Sequence, residues 1–230
     1  MSEMAKRYVS FSGGADSTAL AIYLADKGED FTLLFADTGA ELPETYWIVP
    51  RVARALNRPL VVVSGPTMYQ RLVGRGFYLP SFANRWCTRE LKLDPLNAVT
   101  GPDGSMVGIC ADEDHRMPKA ERPLVNAGIG KAEARAMCEK RDLLSPAYKW
   151  RTSCSCFCCP FQDPWDWRNL RAEHPDLFAL AEDWERFSMM ASHGHTWNER
   201  FALQNVRLAE DNQIEMFPKP RGEACAICQA

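Results

Sequence analysis

The sequence predicts an α/β protein: a doubly wound, mostly parallel sheet with a Cys-rich loop and a C-terminal helical region. Three observations carry this. Short apolar runs alternate with helix-like stretches through the N-terminal part. One of them, Phe31-Thr32-Leu33-Leu34-Phe35-Ala36, is nearly continuous in apolar character, as expected of a parallel strand covered on both faces. The first run passes through a glycine loop straight into a helical pattern. At 230 residues the chain can bury one substantial core, with a small appended lobe. Composition is that of an ordinary globular protein, 46% hydrophobic and 25% charged, with no apolar run of membrane-spanning length. The polar start, Met1-Ser2-Glu3-Met4-Ala5-Lys6, has no apolar signal segment. A cytoplasmic location without a membrane partner is the expectation, and nine cysteines are then not a disulfide framework. A net charge of −3 argues against a generally basic surface, though not against a local basic groove.

In chain order, residues 7–11 read as the first strand. Ser12-Gly13-Gly14-Ala15-Asp16-Ser17-Thr18 follows, and residues 17–27 read as a helix closed by Gly28. Strand, glycine loop and helix together deliver backbone N–H groups and a helix N-terminus to one anion. Gly13 and Gly14 can take φ > 0 and admit a phosphate closely. Ser12, Ser17 and Thr18 add hydroxyl donors, and Asp16 is placed either to cap the helix or to help hold a phosphate-bound Mg²⁺. No Lys precedes Ser17, so this is not a G-x-x-x-x-G-K-[ST] loop. The second strand, 31–36, ends at Asp37-Thr38-Gly39. Ligands of open parallel sheets sit beyond the C-terminal strand ends, which puts Asp37 near the glycine loop. Residues 43–57 read as a helix with Pro near its first turn, and 60–63 as the third strand.

Ser12-Gly13-Gly14-Ala15-Asp16-Ser17 resembles the PP-loop of the ATP pyrophosphatases, the adenine-nucleotide α-hydrolase superfamily. Phe35-Ala36-Asp37-Thr38-Gly39-Ala40-Glu41-Leu42-Pro43-Glu44-Thr45-Tyr46 is similar to the Asp-Thr-Gly-x-x-x-Pro-Glu-Thr segment of one branch, the phosphoadenylyl-sulfate (PAPS) reductase family. Arg85-Trp86-Cys87-Thr88-Arg89-Glu90-Leu91-Lys92-Leu93-Asp94-Pro95-Leu96 resembles that family's Cys-rich segment ending in Lys-x-x-Pro. Val107-Gly108-Ile109-Cys110-Ala111-Asp112-Glu113-Asp114-His115-Arg116 resembles its next strand and Glu-x-x-Arg turn. The blocks keep the family's order over residues 7–160. The resemblance implies ATP, or another adenine nucleotide, and Mg²⁺ as cofactors. Ser10, Ser12, Gly13, Gly14, Asp16, Ser17, Thr18, Asp37, Thr38 and Gly108 would be the nucleotide-binding residues, and Asp16 and Arg116 would act in the chemistry. An intact loop favours ATP, since reductases of phosphoadenylyl sulfate carry a degraded one. The family's tail nucleophile, in Glu-Cys-Gly-(Ile/Leu)-His, is only faintly echoed by Cys225 and Cys228, the two further catalytic candidates.

From Arg116 to Arg151 the chain is rich in Lys and Arg, either a solvated helix face or an approach for a polyanionic, nucleic-acid substrate. Residues 132–140 within it read as helix. Then comes Ser153-Cys154-Ser155-Cys156-Phe157-Cys158-Cys159-Pro160-Phe161. Cys156-x-x-Cys159-Pro has metal-ligand spacing, while Cys154 and Cys158 are ligands, alternates or sulfur carriers. Cys110 and Cys138, isolated in apolar or helical settings, read as buried small hydrophobes. An all-thiolate site admits Zn²⁺ or an iron–sulfur cluster. The resemblance implies [4Fe–4S], with Cys87, Cys156 and Cys159 as ligands and Cys154, Cys225 or an exchangeable sulfide as the fourth. Beyond Pro160, tryptophans and leucines at helical spacing read as helices over the sheet and the Cys loop. His174, His193 and His195 read as loop or cap residues rather than ligands. The expected division is 1–160, nucleotide-binding domain with the Cys-rich loop; 161–217, helical region; and 218–230, mobile tail.

The reading favoured by the resemblance is ATP-dependent sulfur transfer with pyrophosphate release, needing a sulfur donor protein or thiol reductant. The acceptor is a tRNA base, a DNA phosphate or a small molecule, and a homodimer is possible. A reductase of phosphoadenylyl or adenylyl sulfate, and a non-catalytic nucleotide-binding subunit of a modification or defence complex, are the alternatives.

Overall fold

The computed structural model describes residues 7–101, 104–117, 119–154, 156–191 and 194–211. Tyr8–Ser10 is β1, Ala15–Asp26 α1, Thr32–Asp37 β2, Pro43–Ala55 α2, Leu60–Ser64 β3 and Met68–Gly74 α3. Trp86–Thr88 (α4), a π-helical turn over Arg89–Leu93 and Asp94–Thr100 (α5) run on as one helical stretch. Met106–Val107 is β4, followed by Pro123–Asn126 (α6), Lys131–Lys140 (α7), Pro164–Glu173 (α8), Pro175–Met190 (α9) and Leu203–Asp211 (α10). All four strands are parallel, in the order β3-β2-β1-β4. The expected α/β architecture is the observed one.

Alternation along β2 decides the layers. Leu33 and Phe35 join Val9 and Phe11 in a core closed by α1, α2 and α7, through residues such as Leu20, Ile48 and Ala134. Leu34 and Ala36 pack with Val61, Val63 and Tyr8 on the other face, against Leu96 of α5. Helices on both faces explain why β2 is buried along nearly its whole length. β3, at the edge, is half-exposed in spite of its run of valines, with Val62 55% exposed. α1 ends as predicted: Gly28 takes φ 71° just past the C-cap, and Glu29 N–H closes the turn on Leu24 O.

The helical region differs from expectation. α8, α9 and α10 cover the Cys loop and the β2–α2 turn rather than a face of the sheet. Trp167, Leu170, Phe178, Trp184 and Trp197 pack there with Ala40, Leu42, Phe157 and Cys158. Leu180, Phe187 and Met190, helical in spacing, lie on the solvent side of α9. Asp166 fastens α8 to the Cys segment by accepting from Thr152 N and Oγ1, each at 2.8 Å. Glu44 fastens it to α2 by accepting from Trp150 Nε1 at 3.0 Å and bonding His174 Nε2 at 2.9 Å. His174 is therefore a partly buried tie between layers, and His195 packs edge-on to Tyr78. Among the described residues no helix is long and apolar enough to cross a membrane. Tail residues 218–230, with Cys225 and Cys228, and His193 lie outside the described residues.

Candidate functional site

α1 and α2 cover one face and α5, reached only after β3, the other, so the chain reverses its direction of growth between β1 and β4. At such a switch point the usual ligand position is the crevice outside the C-terminal ends of the strands. The glycine loop after β1 forms one wall. Gly13 takes φ +76°, and a Cβ there would meet Ile48 Cγ2 and Val49 Cγ2 at 3.1 Å. Its glycine is thus required by backbone conformation and by the approach of α2. Gly14 is the α1 N-cap, with extended backbone and no side-chain cap; a Cβ there meets only Ser12 Oγ and Tyr148 Oη, at 3.4 and 3.5 Å. The hydroxyls of Ser12 and Ser17 lie 3.2 Å apart, and Ser17 Oγ donates to Gly14 O at 3.1 Å. Ala15 N–H is held by Tyr148 Oη at 3.0 Å. The other N–H groups of the first turn have no intrahelical partner, which leaves an anion-seeking helix end at the mouth of the crevice.

Gly108 closes the opposite wall. A Cβ there would stand 2.7 Å from Asp16 C, Asp16 O and Ser17 Cα, so β4 stops at Val107 and the chain leans directly on α1. Beyond it lie Cys110, Asp112, Glu113 and Arg116. Asp16 does not cap α1. Burial raises its carboxyl pKa, a Cys110 hydrogen bond works against the rise, and Glu113 lies in its field. Glu113 is buried and paired with Arg116 at 3.1 Å and Lys131 at 2.9 Å. Arg116 is therefore already coupled to a buried acid.

Asp37 ends β2, accepting from Gly39 N at 2.9 Å and Tyr46 Oη at 2.8 Å. Thr38 turns inward, buried, and donates to Glu41 Oε1 at 2.9 Å. Cys156 Sγ reaches the same Glu41 oxygen at 3.4 Å and Thr38 Oγ1 at 3.6 Å, while Phe157 N–H donates to Ala40 O. The Cys segment is thereby pinned to the β2–α2 turn. Lys92, from the π-helical turn, lies 3.9 Å from Glu41. Its pKa is raised by the charges of Cys156, then Glu41, against burial, with Cys159 and Cys87 adding to it. Burial pushes the Cys156 thiol up to about 12 and holds Cys87 and Cys158 above the ordinary range. Cys87, Cys156 and Cys159 thus share the field of a half-exposed ammonium, and Cys158 lies in the field of those three thiols. Cys154 takes another direction: its sulfur contacts Thr45 Oγ1 at 3.1 Å and Ser145 Oγ at 3.5 Å. Thr45 also faces Gly13, so Cys154 and the glycine loop meet on one buried threonine.

The structure therefore gathers Cys87, Cys156 and Cys159 with Cys158, and turns Cys154 toward the loop. Ser12, Gly14, Ser17 and Asp16 stand at the crevice. Thr18 is wholly buried in α1, and Ser10 sits in the sheet between Leu34 and Val107. Cys110 and Cys138 are buried, as expected of structural thiols. The basic segment is largely engaged internally: Arg116 and Lys131 with Glu113, Arg135 with Glu139, Arg141 with Asp26. Glu41, Thr45, Lys92 and Tyr148 were not singled out from the sequence. The first three lay inside the motif blocks without a chemical label. Tyr148 left no local signal, since its partner Ala15 is 133 positions away.

Clustered sulfur donors suit a soft metal or a cluster. Among the described residues, no three His, Cys, Asp or Glu side chains are preassembled as a metal cage. The donor chemistry fits such a group, and its loading would deprotonate the thiols.

The family model of the phosphoadenosine phosphosulfate reductase domain matches residues 6–127. One uncharacterized protein of Methanocaldococcus jannaschii is 34% identical over 87 residues, 38% of this chain and 21% of that protein. A second from the same organism is 26% identical over 220 residues, 83% of this chain and 43% of that protein. The chain thus spans less than half the length of the curated relatives it matches. The crystal structure of phosphoadenylyl-sulfate (PAPS) reductase from Candida auris, a phosphate complex, is similar at a TM-score of 0.48 and 15% identity, over 67% of this chain and 82% of that one. With more than half of its residues matched by the family model, the chain belongs to the phosphoadenosine phosphosulfate reductase domain family.

Proposed function

We propose that the chain activates an acceptor with ATP, releasing pyrophosphate, and couples that activation to sulfur transfer from its cysteine segment. The observation that supports this reading is the position of Thr45, whose hydroxyl meets Cys154 Sγ and whose methyl lies on the side of Gly13; it would bring thiol chemistry beside a helix end suited to phosphate. Ser12, Gly14, Ser17 and the first-turn N–H groups of α1 would hold the β,γ-phosphates, and Asp16 would meet Mg²⁺ at the crevice. Arg116 would offset charge on the α-phosphate, where positioning and charge stabilisation do most of the work. An acceptor oxygen would attack the α-phosphorus and expel pyrophosphate. A sulfur nucleophile, renewed by an external persulfide or thiol donor, would then displace AMP. Cys87, Cys156 and Cys159 would hold a [4Fe–4S] group with Lys92 offsetting its thiolate charge. Such a group, when bound, supplies an open iron position for sulfur.

The test is anaerobic purification followed by pyrophosphate and sulfite assays. Brown protein that releases pyrophosphate from ATP and is bleached by Cys87→Ala is the expected result. A colourless protein with one equivalent of zinc would overturn the cluster, and sulfite released from an adenylyl sulfate would replace sulfur transfer with reduction.

A further inference from the structure

The cysteine site has an aromatic and cationic rim that the proposed chemistry does not use. Phe82 stands at the tip of a tight turn in which Ser81 N–H donates to Asn84 O and Asn84 N–H donates to Ser81 Oγ, each at 3.1 Å. Its ring packs on Phe161 at 4.3 Å between centroids, yet 48% of the residue is exposed. Arg85 lays its guanidinium over the same Phe161 ring at 4.8 Å. Arg89 follows one helical turn later, also exposed. Among the described residues neither arginine has a carboxylate within ion-pair distance, whereas Arg71 and Arg75 nearby share Glu90. The chain itself ties this rim to the thiols: Cys87 lies two residues after Arg85, and Cys159 two before Phe161.

An exposed ring backed by a second ring, beside two unneutralised guanidinium groups, matches a base that stacks and a backbone that carries phosphates. A helical turn separates the arginines by about 5.4 Å along the axis, which spreads them over successive phosphates rather than one. A chain of net charge −3 has no generally basic surface, so the attraction is local. We propose that Phe82, Phe161, Arg85 and Arg89 seat an unpaired base of a single-stranded nucleic acid beside Cys87 and Cys159. This rests on the sulfur-transfer reading and names its acceptor class. The base is held by its face, so a strand is preferred to a duplex, whose bases are already stacked.

The experiment is a fluorescence-anisotropy titration of the full chain with a fluorescein-labelled, unstructured 12-mer, repeated with the same sequence as duplex. Wild type should bind the single strand more tightly. Phe82→Ala should weaken binding at least about fivefold, the low end of what one lost stacking contact costs. Phe82→Tyr should restore it, and Arg85→Ala and Arg89→Ala should each lower the salt dependence by about one phosphate contact. ATP affinity should stay unchanged in all four variants. Equal binding by wild type and Phe82→Ala, or no binding by wild type at low salt, overturns the proposal. Equal preference for the duplex, or displacement of the strand by an acidic peptide, overturns the assignment to an unpaired base. Strand binding that depends on Phe82 in a protein releasing no pyrophosphate would break the sulfur-transfer reading and leave the platform standing.

Discussion

Two loops lean on the same helix, α2, and are built in contrary ways. The glycine loop after β1 presents backbone: its polar groups are N–H donors and small hydroxyls at an open crevice, and its geometry is set by close approach to Ile48, Val49 and the chain at Gly108. The cysteine loop presents side chains in a closed setting: thiols raised by burial, a neighbouring lysine, and a shell of tryptophans and phenylalanines from α8, α9 and the segment that follows them. Backbone donors need no protonation change to receive an anion, so the first loop would take one as folded. Buried thiols must lose protons to bind a metal or attack, so the second would change protonation on use.

The contrast breaks most visibly at the aromatic shell. Trp167 is fully buried in the helical lobe, and Trp167→Ala should cost about 3–5 kcal/mol. Urea melts followed separately by near-ultraviolet circular dichroism and by nucleotide binding should show the loss first in the aromatic signal; simultaneous loss of both would mean that the two regions stand or fall as one.

The glycine wall comes next. Gly108→Ala drives a Cβ against the backbone of Asp16 and Ser17 and should cost about 2–3 kcal/mol. Gly14→Ala meets only ordinary contacts, so it should leave the melting midpoint nearly unchanged while abolishing ATP turnover through the added methyl at the crevice. Matching destabilisation by the two, or full pyrophosphate release by Gly14→Ala, would contradict the division of roles.

A smaller effect tests how closed the helical lobe is. Burial raises the Glu185 carboxyl to about 7, against N–H bonds from Trp197 and Leu203. In the folded state it therefore holds a proton that the unfolded chain releases near 4.5. Its contribution is complete below that value and is lost as pH rises through about 7. Thermal melts from pH 5 to 8 should fall more steeply for wild type than for Glu185→Gln. Parallel slopes would mean that Glu185 is solvated.

Smallest of all, Tyr148→Phe frees the Ala15 N–H and should cost about 1 kcal/mol without ligand. With saturating ATP the difference should shrink, because a phosphate then takes the donor. A cost unchanged by ATP would place Tyr148 outside the anion site.

What the sequence determined by itself was local. Strands β1 to β3, α1 with its Gly28 stop, and the glycine loop follow from apolar runs, turn chemistry and spacing, where the deciding interactions lie within a few residues. The same locality made Cys156-x-x-Cys159 legible as a pair. Tertiary structure alone decided which cysteines keep company: Cys158 joins Cys87, Cys156 and Cys159, while Cys154 turns to Thr45 and Ser145. It also shortened β4, since Gly108 meets α1 from nearly a hundred positions away, and turned α8 to α10 onto the cysteine loop rather than the sheet. Helical spacing says that a face is apolar but not what it will meet. The partner of a buried group is chosen by packing between distant segments, and no periodicity records that choice.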